Sequence, residues 1–220
     1  MSIATIVLGE SGAGKTFSLR NLNPADTLLI QAVKKPLPFK AKHWSILTKD
    51  NPDGSIYVTD KSDVIVKAMQ RTKKKIIVLD DFQYTMSNEF MRRVLDKETG
   101  AAAFTKYNEI ARFAWDILTA SANLSDDKRV YILSHTQTDE SGHTKIKTIG
   151  KLLDEKITIE GLVTIVLRTH VINGVNVFST KNNGSDTVKT PADMFETDHI
   201  DNDLAIVDAA IVDYFTQPKE

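Results

Sequence analysis

Residues 9–16 read GESGAGKT, a G-x-x-x-x-G-K-[ST] loop set between an apolar run and a segment able to begin a helix. Ile3 to Leu8 (IATIVL) has the β-branched composition of a buried strand, and Phe17 to Leu22 continues as the first turns of a helix. Strand, glycine loop and helix in that order commit this stretch to an α/β fold with an anion-binding loop at a strand end. Gly9, Gly12 and Gly14 allow torsions that a side chain forbids, so successive N–H groups turn inward at a positive helix end. Glu10, Ser11, Ala13 and Phe17 complete the cradle. A polyphosphate is its natural occupant, with Lys15 reaching the β/γ oxygens and the Thr16 hydroxyl ligating Mg²⁺.

A second motif agrees. Lys73-Lys74-Lys75 precedes Ile76-Ile77-Val78-Leu79-Asp80-Asp81, a short apolar run ending in two carboxylates. This is the Walker B form, a buried parallel strand that delivers an acid to its carboxyl edge. Asp80 is expected in the Mg²⁺ shell. Asp81 either polarises an attacking water or caps the next segment. The two motifs together predict a P-loop domain that binds a nucleoside triphosphate with Mg²⁺.

A chain of 220 residues with 41% hydrophobic content can bury a substantial core, and 26% charge leaves a solvated surface. Its start lacks a basic leader and its apolar runs are strand-length, so neither export nor a membrane partner is expected. With no cysteine, disulfides, thiolate catalysis and cysteine-ligated metal sites are excluded. The net charge of −1 conceals a polarity. From Asp193 onward eight acids stand against Lys219 alone, leaving the preceding residues basic. Such an element can shield a polyanion site, or can be a solvated amphipathic helix, since Leu204, Ile206, Val207, Ala210, Ile211, Tyr214 and Phe215 recur at helical spacing.

Further strands are expected over Thr27 to Val33, Val130 to Leu133 and Leu162 to Leu167. Helices are expected over Lys61 to Thr72 and Thr105 to Leu124. A late hairpin pairs Thr169 to Val171 with Val175 to Ser179, turning at Asn173-Gly174. No repeat or linker divides these pieces. The expected fold is α/β over residues 1–220 as one domain: a mainly parallel sheet flanked by helices, a C-terminal β-hairpin extension, and an acidic helical element over 193–220.

The succession GESGAGKT, IIVLDD, YILSHTQ and the late strand pair with Lys181 resembles the RecA-like P-loop ATPase core. It is similar above all to small phage-encoded ATP-binding proteins proposed as single-strand annealing proteins or minimal recombinases. Lys35-Pro36-Leu37-Pro38-Phe39, the SHTQ strand end, Val166-Leu167-Arg168 and Thr190-Pro191-Ala192-Asp193-Met194-Phe195 carry the more particular likeness. The resemblance implies a DNA-recombination ATPase in the cytoplasm of an infected bacterial cell. Single-stranded DNA, further copies of the same chain in a ring or filament, and a single-strand DNA-binding protein are its implied partners.

It also implies roles for particular residues. His135 and Gln137 stand where RecA-like cores place a sensor of the γ-phosphate, and alternation along a strand lets both face one way. Asp139 to Lys156, with His143, Lys145, Lys147 and Lys151, corresponds in order to a DNA-binding loop. The segment from Tyr84 to Thr105 is a second such candidate, with Arg92, Arg93, Lys97 and Lys106 and a loop at Gly100-Ala101-Ala102-Ala103. Lys181 occupies the place of a finger that reaches a neighbouring subunit's γ-phosphate, where a cation stabilises charge in phosphoryl transfer. Arg168 is the alternative finger, or a contact to the nucleotide of its own subunit.

One departure weakens turnover relative to binding. RecA-like cores carry a catalytic glutamate after the second strand, whereas here Leu29 to Lys35 (LIQAVKK) holds no acid. Asp81 or Glu10 then activates water, or hydrolysis is slow. An ATP-gated annealing module with little hydrolysis, or a helicase- or packaging-type motor, shares every motif above. A guanine-nucleotide switch is disfavoured by the absence of N-K-x-D, and a small-metabolite kinase by the absence of an arginine-rich lid.

Overall fold

The computed structural model describes residues 1–95 and 101–216, with 101–103 as backbone alone. Lys97 and Gly100, and Lys219 and Glu220, lie outside the described residues. Among the described residues ten strands form: β1 (Ile3–Leu8), β2 (Thr27–Gln31), β3 (Ile56–Val58), β4 (Ile76–Asp80), β5 (Arg129–Ser134), β6 (Thr136–Thr138), β7 (Thr144–Ile146), β8 (Ile165–Ile172), β9 (Val175–Ser179) and β10 (His199–Asp201). The helices are α1 (Ser62–Arg71), α2 (Gln83–Arg92), α3 (Ala101–Ala122), α4 (Lys151–Glu155) and α5 (Leu204–Thr216).

Eight strands make one sheet in the order β10-β9-β8-β1-β5-β4-β2-β3, and β6-β7 form a separate ribbon. The pairings from β8 through β3 are parallel, and β8-β9 and β9-β10 are antiparallel. The inner strands are buried along their whole length because both faces are covered. Alternate residues feed two cores. Ile6, Leu8, Leu79 and Ile132 pack with Ile65 and Met69 of α1 and Ile110, Ala114 and Leu118 of α3. Val7, Val78, Tyr131 and Leu133 pack on the other face with Leu19, Leu22, and Leu204, Val207 and Ile211 of α5.

Several elements depart from expectation for local reasons. The segment after the glycine loop is a six-residue 3₁₀ helix, Thr16–Asn21, not an α-helix. Leu22 is already extended, and Asn23 precedes Pro24, a position that disfavours helical torsions. The expected fifth strand and the first arm of the hairpin are one strand, β8. Its first half pairs with β1, and its second half runs past the sheet edge to pair with β9 through Asn173 and Gly174, both at positive φ. Ala101 to Ala103 begin α3 and do not form a loop. Only 204–216 of the acidic C-terminal segment is helical within the described residues, and β10 precedes it.

The acids of that segment are partly consumed internally. Asp208 accepts two bonds from Arg129 at 2.9 Å and one from the Tyr131 hydroxyl at 2.7 Å. Asp203 accepts from Asn21 at 2.5 Å and lies 3.8 Å from Arg20. These two carboxylates fasten α5 to the sheet and to the 3₁₀ turn. No described helix is long and apolar enough to cross a membrane.

Candidate functional site

Parallel strands β1 and β4 end at the same edge of the sheet, so their loops meet there although the motifs are far apart in sequence. The Thr16 hydroxyl lies 3.1 Å from both carboxylate oxygens of Asp80, 64 residues away. Lys15 folds back over its own loop, its ammonium donating to the carbonyls of Gly9 at 2.8 Å and Glu10 at 2.9 Å. Gly12 and Gly14 adopt φ of 82° and 99°, which turns the loop backbone inward. Among the described residues the N–H groups of Gly12, Gly14 and Lys15 meet no backbone or side-chain acceptor, so they are available to an anion. The φ of Gly14 is what favours glycine there, and a Cβ would in addition displace the Asn176 side-chain amide.

A cavity of about 600 Å³ opens over this loop, lined among others by Ser11, Gly12, Lys15, Thr16, Phe17 and Asp81. Asp81 follows β4 at a φ of 64°, unusual for a residue with a side chain, while the Phe82 N–H bonds to the Leu133 carbonyl. The turn swings its carboxylate into the cavity instead of onto the α2 N-terminus, where no side-chain cap forms. Of the two readings of Asp81, the capping one is therefore set aside. One of its oxygens pairs with Lys35, and the other lies 3.5 Å from the His135 imidazole. Tyr84 stands edge-on to that ring at 6.0 Å.

Two adjacent aspartates thus sit in opposite electrostatic conditions. Asp80 is buried beside the Asp81 charge, and its carboxyl is raised to about 6 despite Lys35, 3.9 Å away, and Thr16. Burial also opposes charge on Asp81, but His135 and Lys35 outweigh it and hold that carboxyl at about 2. Burial lowers the Lys15 ammonium to about 8, so it still carries charge at neutral pH.

Lys35 is the residue that sequence reading missed. It was visible only as part of KPLPF, whose Pro36 and Pro38 also line the cavity. The cation stands in the stretch where an acid had been sought. Tyr84 and Asn176 also line the cavity, and neither carried a sequence signal.

The remaining expected residues lie elsewhere. Gln137 does not face the same way as His135. The chain leaves β5 after Ser134, and Gln137, in the β6-β7 ribbon, donates to Asp154 at 2.5 Å. Arg168 is beside the loop in register with Leu8, but its guanidinium turns to the buried Asp186 at 3.4 Å. Lys181 pairs with Asp198 at 3.0 Å, outside this cavity. In the ribbon and the helix after it, Lys145 pairs with Asp154 at 2.8 Å and Lys151 lies 3.7 Å from Glu155. The His143 N–H bonds to Asp139, and Lys147 is exposed. Arg92 pairs with Asp60 and Glu89, Arg93 pairs with Glu109, and Lys106 lies over the Phe90 ring.

No protein-family model matches the chain, and no curated protein matches it.

Proposed function

We propose that this chain is a RecA-type P-loop ATPase that binds Mg²⁺-ATP and, as a homo-oligomer, acts on single-stranded DNA in phage annealing or strand exchange. The observation that carries the nucleotide reading is the convergence of Thr16 and Asp80 beneath a loop whose Gly12, Gly14 and Lys15 amides meet no protein acceptor among the described residues. Strand order supports the RecA-type assignment: β5 lies between the loop strand β1 and the acid strand β4, and His135 follows its end.

The residues present suit the metal. A hydroxyl and a carboxylate offer hard oxygen donors, and among the described residues no group of three or more acidic or imidazole side chains is arranged to hold a metal by itself. Magnesium takes its remaining ligands from phosphate and water, so a sparse protein set is the fitting one. When bound, it neutralises charge on the phosphate oxygens. The loop amides and Lys15 hold the β and γ oxygens, and Thr16 and Asp80 hold the metal. A carboxyl held at about 2 is a poor proton acceptor near neutral pH, so Asp81 orients water and anchors Lys35 and His135 instead of removing a proton. The His135 carbonyl accepts from the Lys147 N–H at 2.8 Å, which ties the site to the β6-β7 ribbon. Lys181, in a half-exposed pair of the kind worth little, can exchange Asp198 for a neighbour's phosphate.

Steady-state ATP hydrolysis with and without single-stranded DNA, at two salt concentrations and with Lys15→Ala as blank, tests this reading. Salt-sensitive stimulation is expected. ATP binding without stimulation leaves the annealing module with little hydrolysis, and normal turnover by Lys15→Ala would sink the site itself.

A further inference from the structure

The opposite edge of the sheet holds a second cavity, of about 830 Å³, larger than the one above the glycine loop. It lies where β2 and β4 begin. Leu28, Leu47, Tyr57, Val64 and Ala68 give it an apolar and aromatic lining. Lys67, Arg71, Lys73, Lys74 and Lys75 surround it, against the carboxylates Asp26 and Asp53.

These cations divide into two sets. Lys74 turns inward and donates to the Pro24 carbonyl at 2.8 Å and the Ala25 carbonyl at 3.2 Å. Lys128, nearly buried, donates to the carbonyls of Thr72 at 2.9 Å and Lys74 at 2.6 Å. Together they pin residues 72–75 in place. Lys73 and Lys75, on either side of Lys74, are exposed. Arg71 and Lys67 are four apart on α1 and extend the same ridge. Lys67 has only the exposed, weak pair with Asp63 at 2.9 Å. A fixed row of cations beside a ring-bearing apolar floor suits a strand that offers phosphates at regular intervals and bases between them.

We infer that this edge binds the backbone of a single-stranded nucleic acid, with Arg71, Lys73 and Lys75 on phosphates and the floor around Tyr57 receiving a base. The inference rests on the single-stranded DNA reading above but moves the contact. The β6-β7 ribbon and α4, which order in the chain suggests, spend Lys145 and Lys151 next to Asp154 and Glu155.

The test is fluorescence anisotropy of a labelled oligothymidylate with ATP and Mg²⁺ across a salt series. It compares the wild type, an Arg71→Glu/Lys73→Glu/Lys75→Glu variant, and a Lys145→Glu/Lys147→Glu/Lys151→Glu variant. The edge variant is expected to lose roughly tenfold in affinity at moderate salt, with a salt slope smaller by about 2, as removal of three phosphate contacts requires. Its nucleotide affinity should be retained. If it melts early, Lys73→Gln/Lys75→Gln replaces it, with a proportionately smaller slope change expected. Wild-type affinity in the edge variant with loss in the ribbon variant overturns the inference. Displacement by polyglutamate as readily as by oligonucleotide assigns the edge to an acidic protein segment and overturns it too. Failure of the wild type to bind DNA while it still binds ATP removes the single-strand reading, and this inference with it.

Discussion

The two edges of the sheet both carry buried charge, yet they use it differently. At the edge where the strands begin, Asp208 is closed by Arg129 and Tyr131, and the Lys128 ammonium ends on two carbonyls. Both of these buried charges have their partners inside the fold. At the edge where the strands end, the Gly12, Gly14 and Lys15 amides meet no acceptor among the described residues, Asp80 carries its proton to about pH 6, and Lys35 serves two carboxylates at once. A charge whose partners are complete holds the fold. A charge whose environment is unfavourable until something else arrives marks a site.

This difference is breakable by mutation. The largest effect belongs to the complete network. Asp208→Ala leaves the Arg129 guanidinium without its carboxylate and the buried Tyr131 hydroxyl without an acceptor, and should cost about 3–5 kcal/mol of stability. Urea unfolding reads this directly, and the folded fraction should still bind nucleotide as the wild type does. Lys15→Ala should do the reverse. Loss of its charge-assisted bonds to phosphate removes about 3 kcal/mol, roughly a hundredfold in ATP affinity, while the melting temperature without nucleotide stays within a degree or two. A large drop in melting temperature would place Lys15 with the structural charges instead.

Asp80→Asn separates stability from function in one residue. Because the folded carboxyl is raised to about 6 from an ordinary 3.8, the folded state binds more protons than the unfolded between those values. Stability from this group is therefore greatest below about 4, declines as pH rises through 6, and is flat above. The asparagine variant lacks that decline. Without nucleotide it should exceed the wild type by about 2 kcal/mol at pH 7.5, with the gap closing towards pH 4. With Mg²⁺ and ATP the order should invert. Denaturant titrations at three pH values, with and without ligand, check both statements.

How far the sequence carries depends on whether a residue is placed by its own segment or by a distant one. The glycine loop and IIVLDD were legible because strand, turn and acid are contiguous, and β1 and β4 run over the residues expected. The joining of two expected strands into β8 was not legible, since the change of partner from β1 to β9 along a continuous strand leaves no break in composition. Gln137 was misdirected because alternation was carried past Ser134, where the strand stops. Arg168 and Lys181 are held by Asp186 and Asp198, acids that come from segments with no periodic pattern to align. Lys35 illustrates the same limit from the other side, a lysine in a proline-rich stretch that becomes part of the site only because β2 and β4 are neighbours.

Lys35 also supplies the smallest and most discriminating test. Its ammonium offsets the charge of Asp81 and lowers the carboxyl of Asp80, so Lys35→Ala raises both. A proton on Asp80 competes with the metal, so affinity for Mg²⁺-ATP falls with decreasing pH, and the fall should begin at higher pH in the variant. Lys35 is about a third exposed, so screening limits the displacement to on the order of one pH unit. Fluorescent-nucleotide titrations between pH 5.5 and 8 read that midpoint, and Lys35→Arg should restore it by returning the charge. Weakened affinity with an unmoved midpoint would mean that Lys35 acts on the nucleotide alone. A moved midpoint restored by arginine would mean that it acts through the paired aspartates, as the site geometry requires.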